Sequence, residues 1–267
     1  MATIDDYQRV CEKAARAGAD VLRDWAGRFA VREKGPADLV TEADLASQEV
    51  IRRVLLGAFP RHGFLAEEPF LANGTASIAS QEDGLRWIVD PLDGTTNYVH
   101  GVPNYAVSIA LEQAGELLVG TVYDPAADEC FSAALGMGAT CNGRRLHVSG
   151  AQCLSQALVA VSFSAQVRRG DREINDFLEV MLQAQATRRM GSSALNLCYV
   201  AAGRFDAYWA TTTKTWDIAA GAILVREAGG VINSFDGGTL DLERPQFIAA
   251  ATPALQHELH ELLHRRC

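Results

Sequence analysis

The densest chemistry in the sequence is the run Trp87-Ile88-Val89-Asp90-Pro91-Leu92-Asp93-Gly94-Thr95-Thr96-Asn97, where an apolar segment passes directly into acids, a glycine and hydroxyls. A strand end holds side chains rigidly, as metal coordination requires. Pro91 fixes one backbone dihedral, and Gly94 permits a close backbone approach that a side chain would obstruct. The amides of Gly94 and Thr95, at the start of a following helix, would suit a phosphate. Read alone, Asp-x-x-Asp-Gly is also a common solvated turn.

Glu67 and Glu68 follow the apolar run from Gly63 to Ala66 and precede Pro69, which puts them at a second expected strand end. Asp217 opens a small-residue helix, where an acid also complements the helix dipole. Asp44, in Thr41-Glu42-Ala43-Asp44, has the spacing of a capping box, with the acid at the third helical position. Each acid therefore has a structural explanation of its own. Together, Glu67, Asp90, Asp93 and Asp217 supply the hard oxygen ligands of magnesium, which is held by a few carboxylates, waters and substrate phosphate.

These groups need a scaffold, and the hydrophobic periodicity supplies one. Val10, Ala14, Ala17, Val21, Leu22 and Trp25 fall at helical spacing between Ile4 and Trp25, and Leu45, Val50, Ile51, Val54 and Leu55 repeat the pattern from Thr41 to Phe59. Strands are expected over 85–90, 105–111, 117–123 and 130–135, then 157–163, 205–209, 231–233 and 247–250. Helices are expected over 174–186, 192–202, 218–228 and 254–263. No fixed-period repeat or low-complexity linker interrupts this order, so the expectation is one α/β domain over residues 1–267, with lobes of about 1–149 and 150–267.

Composition narrows the partners. A formal charge of −9 over 267 residues, with no basic stripe, disfavours nucleic acid and anionic membrane, so neither is an expected partner. No apolar run approaches the length of a membrane span. The acidic start around Asp5 and Asp6 is unlike a secretory signal, and the six cysteines form no Cys-x-x-Cys pair. A reducing, cytoplasmic setting follows.

The motifs, in this order, resemble the inositol monophosphatase family, relatives of fructose bisphosphatase and of lithium-sensitive phosphatases. The likeness covers Asp38-Leu39-Val40-Thr41-Glu42-Ala43-Asp44, Ala66-Glu67-Glu68, the stretch from Trp87 to Tyr98, Gly120-Thr121-Val122-Tyr123-Asp124-Pro125, Trp216-Asp217-Ile218-Ala219-Ala220-Gly221 and Glu227-Ala228-Gly229-Gly230. The resemblance implies an α-β-α-β-α sandwich, a homodimer, and a phosphatase of small phosphorylated alcohols using two to three magnesium ions. It places one metal on Glu67, Asp90 and the Leu92 carbonyl, a second on Asp90, Asp93 and Asp217, and a weaker third on Glu67 and waters. Asp44 and Thr95 would orient the attacking water, with Glu67 beside them. Gly94, Thr95, Asp93, Asp217, Ser192 and Ser193 would meet the substrate, supported by Lys34 and Glu68.

Two departures qualify the substrate. Lys34 stands one residue closer to Asp38 than the family spacing, and Ala210 occupies the position where inositol-specific members carry a glutamate. Trp209, Lys214, Ser192 and Ser193 are expected to shape the leaving-group pocket instead. Histidinol phosphate, fructose bisphosphate and adenosine bisphosphate are alternative substrates, and a regulatory binding protein retaining the fold is the alternative outside enzymology. His260-Glu261-Leu262-Leu263-His264 matches a zinc-peptidase pattern, but with His257 and Glu258 it reads as a solvated helix face.

Overall fold

The computed structural model describes residues 2–35, 38–69, 77–80, 84–164 and 166–265, and within these the side chains outside 32–39. The side chain of Lys34 thus lies outside the described residues. The chain runs through α1 (Ile4–Trp25), β1 (Val31–Gly35), β2 (Asp38–Thr41), α2 (Glu42–Ala58), β3 (Gly63–Ala66), β4 (Ser77–Ile78), β5 (Leu85–Asp93) and α3 (Thr95–Val99). It continues through β6 (Ala106–Gln113), β7 (Glu116–Asp124), β8 (Glu129–Ala134), β9 (Gly138–Cys141) and β10 (Arg144–Arg145). The remainder is β11 (Leu158–Ser162), α4 (Arg172–Gln183), β12 (Ala186–Arg188), α5 (Ser193–Ala201), β13 (Ala207–Ala210), α6 (Thr215–Glu227), β14 (Val231–Ser234), β15 (Phe247–Ala250) and α7 (Pro253–His264).

Two sheets organise these elements. The larger has the order β10-β9-β8-β7-β6-β5-β3-β4, antiparallel except where β3 runs parallel to β5. The smaller has the order β12-β11-β13-β15-β14, with β11 parallel to both its neighbours. β1 and β2 form a separate hairpin. α1 and α2 cover one face of the large sheet, while α5 and α6 lie between the sheets. α4 and α7 cover the far face of the small one. This is the expected α-β-α-β-α sandwich, and the two sheets fall on either side of residue 149.

Strand alternation shows why the layers close. Trp87 and Val89 of β5 point into the core beneath α1 and α2, whereas Ile88 points into the core shared with α5 and α6. A strand buried on both faces reads as a continuous apolar run, as Trp87-Ile88-Val89 does.

Several boundaries differ from expectation for identifiable reasons. β5 continues to Asp93, with its register shifting between Asp90 and Asp93, because Pro91 has no N–H to give the ladder. The helix expected from 174 to 186 ends at Gln183, and residues 186–188 become an edge strand beside β11. α6 begins at Thr215, so Asp217 lies within its first turn. No helix of the described residues is long and apolar enough to cross a membrane.

A buried carboxylate cluster as candidate active site

One face of α2 organises the site. Thr41 caps the helix, and the Asp44 carboxylate accepts the Thr41 N–H at 2.8 Å through Oδ2. Its other oxygen, Oδ1, lies 3.4 Å from Thr95 Oγ1, so the cap and the contact to Thr95 use the same buried carboxylate. One turn on, Ser47 Oγ donates to the Pro91 carbonyl at 3.1 Å. Gln48 holds the Glu68 backbone at both ends: its Nε2 donates to the Glu68 carbonyl at 2.8 Å, and its Oε1 accepts the Glu68 N–H at 3.1 Å.

Positions i, i+3 and i+4 share a helix face, so Asp44, Ser47 and Gln48 tie α2 to the segments carrying Thr95, Pro91 and Glu68. Gly18 lets α1 approach this face, since a Cβ there would meet Ile51 Cδ1 at 2.7 Å and Ser47 Oγ at 2.9 Å. Ser47 and Gln48 were not singled out from sequence. Their signal is that polar residues continue the buried stripe of Ile51 and Leu55. Gln48→Ala is expected to cost about 1–3 kcal/mol, because it strips both partners from a buried peptide group. Urea midpoints at unchanged slope would measure this, and a wild-type midpoint would remove Gln48 from the scaffold.

The acids converge from three directions. Asp90 is buried, with Oδ1 accepting the Leu92 N–H at 3.0 Å. Asp93, also buried, stands at the N-terminus of α5, where it accepts from the Ser192 hydroxyl, from Ser193 N at 3.2 Å and from Ala194 N at 2.8 Å. Asp217 is half-buried and accepts the Lys214 N–H at 2.8 Å. Glu67 is half-buried beside β5, its N–H donating to the Val89 carbonyl at 3.2 Å, and Glu68 is buried.

Crowding these carboxylates has an electrostatic consequence. Desolvation, then the neighbouring Glu67, Asp93 and Asp217, push the Asp90 carboxyl well above the ordinary range. Desolvation and Asp93 do the same to Asp217. Asp93 is raised by desolvation to about 6 in spite of its Ser192, Ala194 and Ser193 donors. Among the described residues no group of three or more acids, histidines or cysteines closes into a metal cage. Asp90, Asp93 and Asp217 each accept from nearby N–H donors. The donor set, all hard oxygen and short of positive charge, suits a divalent cation of the magnesium type.

Thr95 Oγ1 donates to the Leu92 carbonyl at 3.0 Å, the better placed of its two acceptors. Gly94 is left-handed at φ +90°, and a Cβ there would come within 3.0 Å of the Asn104 carbonyl. Gly94→Ala is therefore expected to move Thr95 out of register and cut kcat by ~10-fold or more while secondary structure is kept. Circular dichroism beside steady-state rates would check it, and unchanged rates would dismiss the constraint.

A cavity of about 350 Å3 opens beside the cluster, lined by Thr96, Ser162, Ser193 and Thr212 among others. Ser193 touches it and also joins Asp93, whereas Ser192 is fully buried and works through Asp93. Two groups sequence reasoning missed hold this wall. Asn97 Nδ2 bridges the Asn104 and Met190 carbonyls at 2.8 Å each. The buried Tyr208 hydroxyl lies 2.7 Å from Ser162 Oγ and donates to Ser193 Oγ at 3.1 Å. Asn97 and Tyr208 carried no local signal, because both connect segments distant in sequence.

Three expectations need correction. Trp209 does not shape the pocket: alternation along β13 turns it into the core under α7, on the opposite face from Tyr208 and Ala210. Lys214 is exposed outside the described cavity lining, and it meets the cluster at Asp217, through its backbone N–H and its charge. The C-terminal histidine pattern is a solvated face only in part, at His257 and Glu261. His260 and His264 are partly buried and stacked at 4.1 Å, with His264 against Phe235, and Glu258 accepts the Leu154 N–H at 2.8 Å. Ala210 is fully enclosed, paired with Ser162 and Phe247.

A model of the inositol monophosphatase family matches residues 5–266. The inositol-1-monophosphatase of Rhizobium meliloti is 41% identical over 255 residues, covering 94% of this chain and 92% of its own. The Nus factor SuhB of Pseudomonas aeruginosa is 41% identical over 246 residues, covering 90% and 89%. Among solved structures, the extragenic suppressor protein SuhB from Bartonella henselae superposes with a TM-score of 0.89 at 38% identity, over 97% of this chain and 98% of that one.

Proposed function

The chain belongs to the inositol monophosphatase family and is a phosphoric monoester hydrolase, and we propose that it cleaves small phosphorylated alcohols, inositol 1-phosphate among them, with magnesium held by its buried acids. The observation that carries this reading is the gathering of Glu67, Asp90, Asp93 and Asp217, hard oxygen donors with Asp90 and Asp93 buried, beside a sugar-sized cavity, where desolvation raises the Asp90, Asp93 and Asp217 carboxyls. Glu67, Asp90 and the Leu92 carbonyl are proposed as one metal set, and Asp90, Asp93 and Asp217 as a second, with a weaker third on Glu67. When bound, two to three magnesium ions would neutralise the phosphate and lower the pKa of a coordinated water.

The residues of the chain do the rest. Thr95 has one hydroxyl proton and two acceptors within reach, the Leu92 carbonyl and Asp44 Oδ1. Turning that proton to Asp44 leaves the Leu92 carbonyl free as a ligand and points the Thr95 lone pairs at the attacking water. Asp44 suits this role because the cap fixes Oδ2 while Oδ1 faces the Thr95 hydroxyl. The Gly94 and Thr95 amides would hold the phosphoryl oxygens in line. Ser193 would meet the alcohol directly, Ser192 would act by holding Asp93, and Glu68 and Lys34 would support the cluster.

A phosphate-release panel with magnesium tests the reading, using inositol 1-phosphate, histidinol phosphate, fructose 1,6-bisphosphate, adenosine 3′,5′-bisphosphate and glycerol 2-phosphate. Lithium is expected to inhibit, since it would fill a divalent site with half the charge. Rates on all five that are unmoved by lithium would argue against that occupancy. The Nus factor name carried by several relatives favours a second reading, in which the fold is also an interaction surface. A variant without turnover that keeps such a role would separate the two. The reading includes a cytoplasmic homodimer, and exposed apolar side chains such as Leu182, at 75% exposure, are of the kind an assembly covers. Light scattering tests the assembly.

A further inference from the structure

The cavity beside the acid cluster has one charged group in its described lining, and that group is a cation. Arg189 lines it together with Phe163, Ser162, Ser193, Thr96 and Thr212. The guanidinium sits 5.4 Å from the centre of the Phe163 ring, and Phe163 is braced edge-on by Phe177 at 5.5 Å. Arg189 is exposed, and among the described residues no carboxylate lies within ion-pair distance of it. The nearby acid, Glu173, is occupied elsewhere: it accepts from Ser164 Oγ at 2.8 Å, Thr211 Oγ1 at 2.6 Å and Thr212 Oγ1 at 3.3 Å.

This arrangement favours a specific occupant. An arginine stacked on an aromatic face keeps its planar fork of N–H donors available, and that fork matches a phosphate bidentately. Stacking also restricts the side chain in advance, so less entropy is lost when a ligand arrives. The hydroxyls of Ser162 and Ser193, both fixed by Tyr208, lie in the same cavity as Arg189, and the Ser193 amide reaches Asp93. A volume of about 350 Å3 accommodates a sugar-sized group between the two ends. Ala210, enclosed in β13, presents no carboxylate that would oppose an anion here.

We propose that the preferred substrate is an alcohol bearing a second phosphate, which Arg189 receives while the first is hydrolysed at the acid cluster. This rests on the phosphatase reading above. The test compares kcat/KM for fructose 1,6-bisphosphate with that for fructose 1-phosphate, in magnesium at low ionic strength, with glycerol 2-phosphate as the reference for hydrolysis itself. The expected ratio is at least ~10, beyond the factor of two that a second ester gives by number, and it should fall as salt is raised. Arg189→Gln is expected to lower the ratio by ~10-fold, with Arg189→Lys between, since lysine keeps the charge and loses the fork. A parent ratio near two, or a ratio unchanged in Arg189→Gln, overturns the assignment of Arg189 and leaves the phosphatase reading intact. No magnesium-dependent turnover of any of the three substrates overturns both.

Discussion

Asp217→Asn is expected to lower kcat by at least ~10² while the protein remains folded and, without metal, as stable as the parent or slightly more so. The rate falls because a ligand charge is lost where transition-state charge must be balanced. Stability holds because the oxygen of the substituted side-chain amide can still accept the Lys214 N–H that Asp217 accepts at 2.8 Å, and because one of four mutually repelling acids is gone. Asp93→Asn should match the loss in kcat but not the stability. Both Asp93 oxygens already accept, from the Ser192 hydroxyl and from the Ser193 and Ala194 amides, so an amide must turn its NH2 toward a donor at the start of α5. That mismatch costs about 1–3 kcal/mol, offset in part by relieved repulsion. Single-turnover rates with thermal melts in chelator separate the two variants. Parental rates in Asp217→Asn would remove it from the metal set.

How much of this was legible in the sequence follows from the range of each interaction. The strand from Trp87 to Val89, the acids after it and the Asp44 cap are set by neighbours within a turn or a strand, and sequence spacing reported them. Helix starts slipped where a turn such as Thr215-Trp216-Asp217 already belonged to α6. The edge strand β12 was missed because edge pairing leaves little hydrophobic pattern: it borrows its register from β11. The site was readable as a set of residue types, but not as an assembly. Ser47 and Gln48 look like ordinary helix polar residues until α2 is laid against β3 and β5, and Tyr208 like one more core aromatic until Ser162 and Ser193 meet over it. The stacked His260 and His264 show the converse, a motif match whose rings pack on each other and on Phe235.

Removing magnesium is expected to abolish turnover and to leave a protein whose stability falls as pH rises, and the two effects have one origin. Without metal Asp93 is raised from 3.8 to about 6, and Asp90 and Asp217 are raised well above 3.8, chiefly by desolvation and then by neighbouring acids, Glu67 among them. In the unfolded chain these acids release their protons near pH 4. Between that value and each folded-state value the folded protein binds more protons than the unfolded one, so its stability decreases with pH. For Asp93 the decrease is complete a little above pH 6 and amounts to about 3 kcal/mol at 1.36 kcal/mol per unit. The other two carry it further toward neutrality. Bound cations reverse the sign, since they favour the ionised carboxylates and compete with the protons. Magnesium should therefore raise Tm more at pH 7.5 than at pH 5.5, in step with the recovery of phosphate release after chelator treatment. Full turnover in excess chelator would sink the metal assignment outright. A magnesium-induced rise in Tm that is equal at both pH values would show that the cations bind somewhere other than the buried acids.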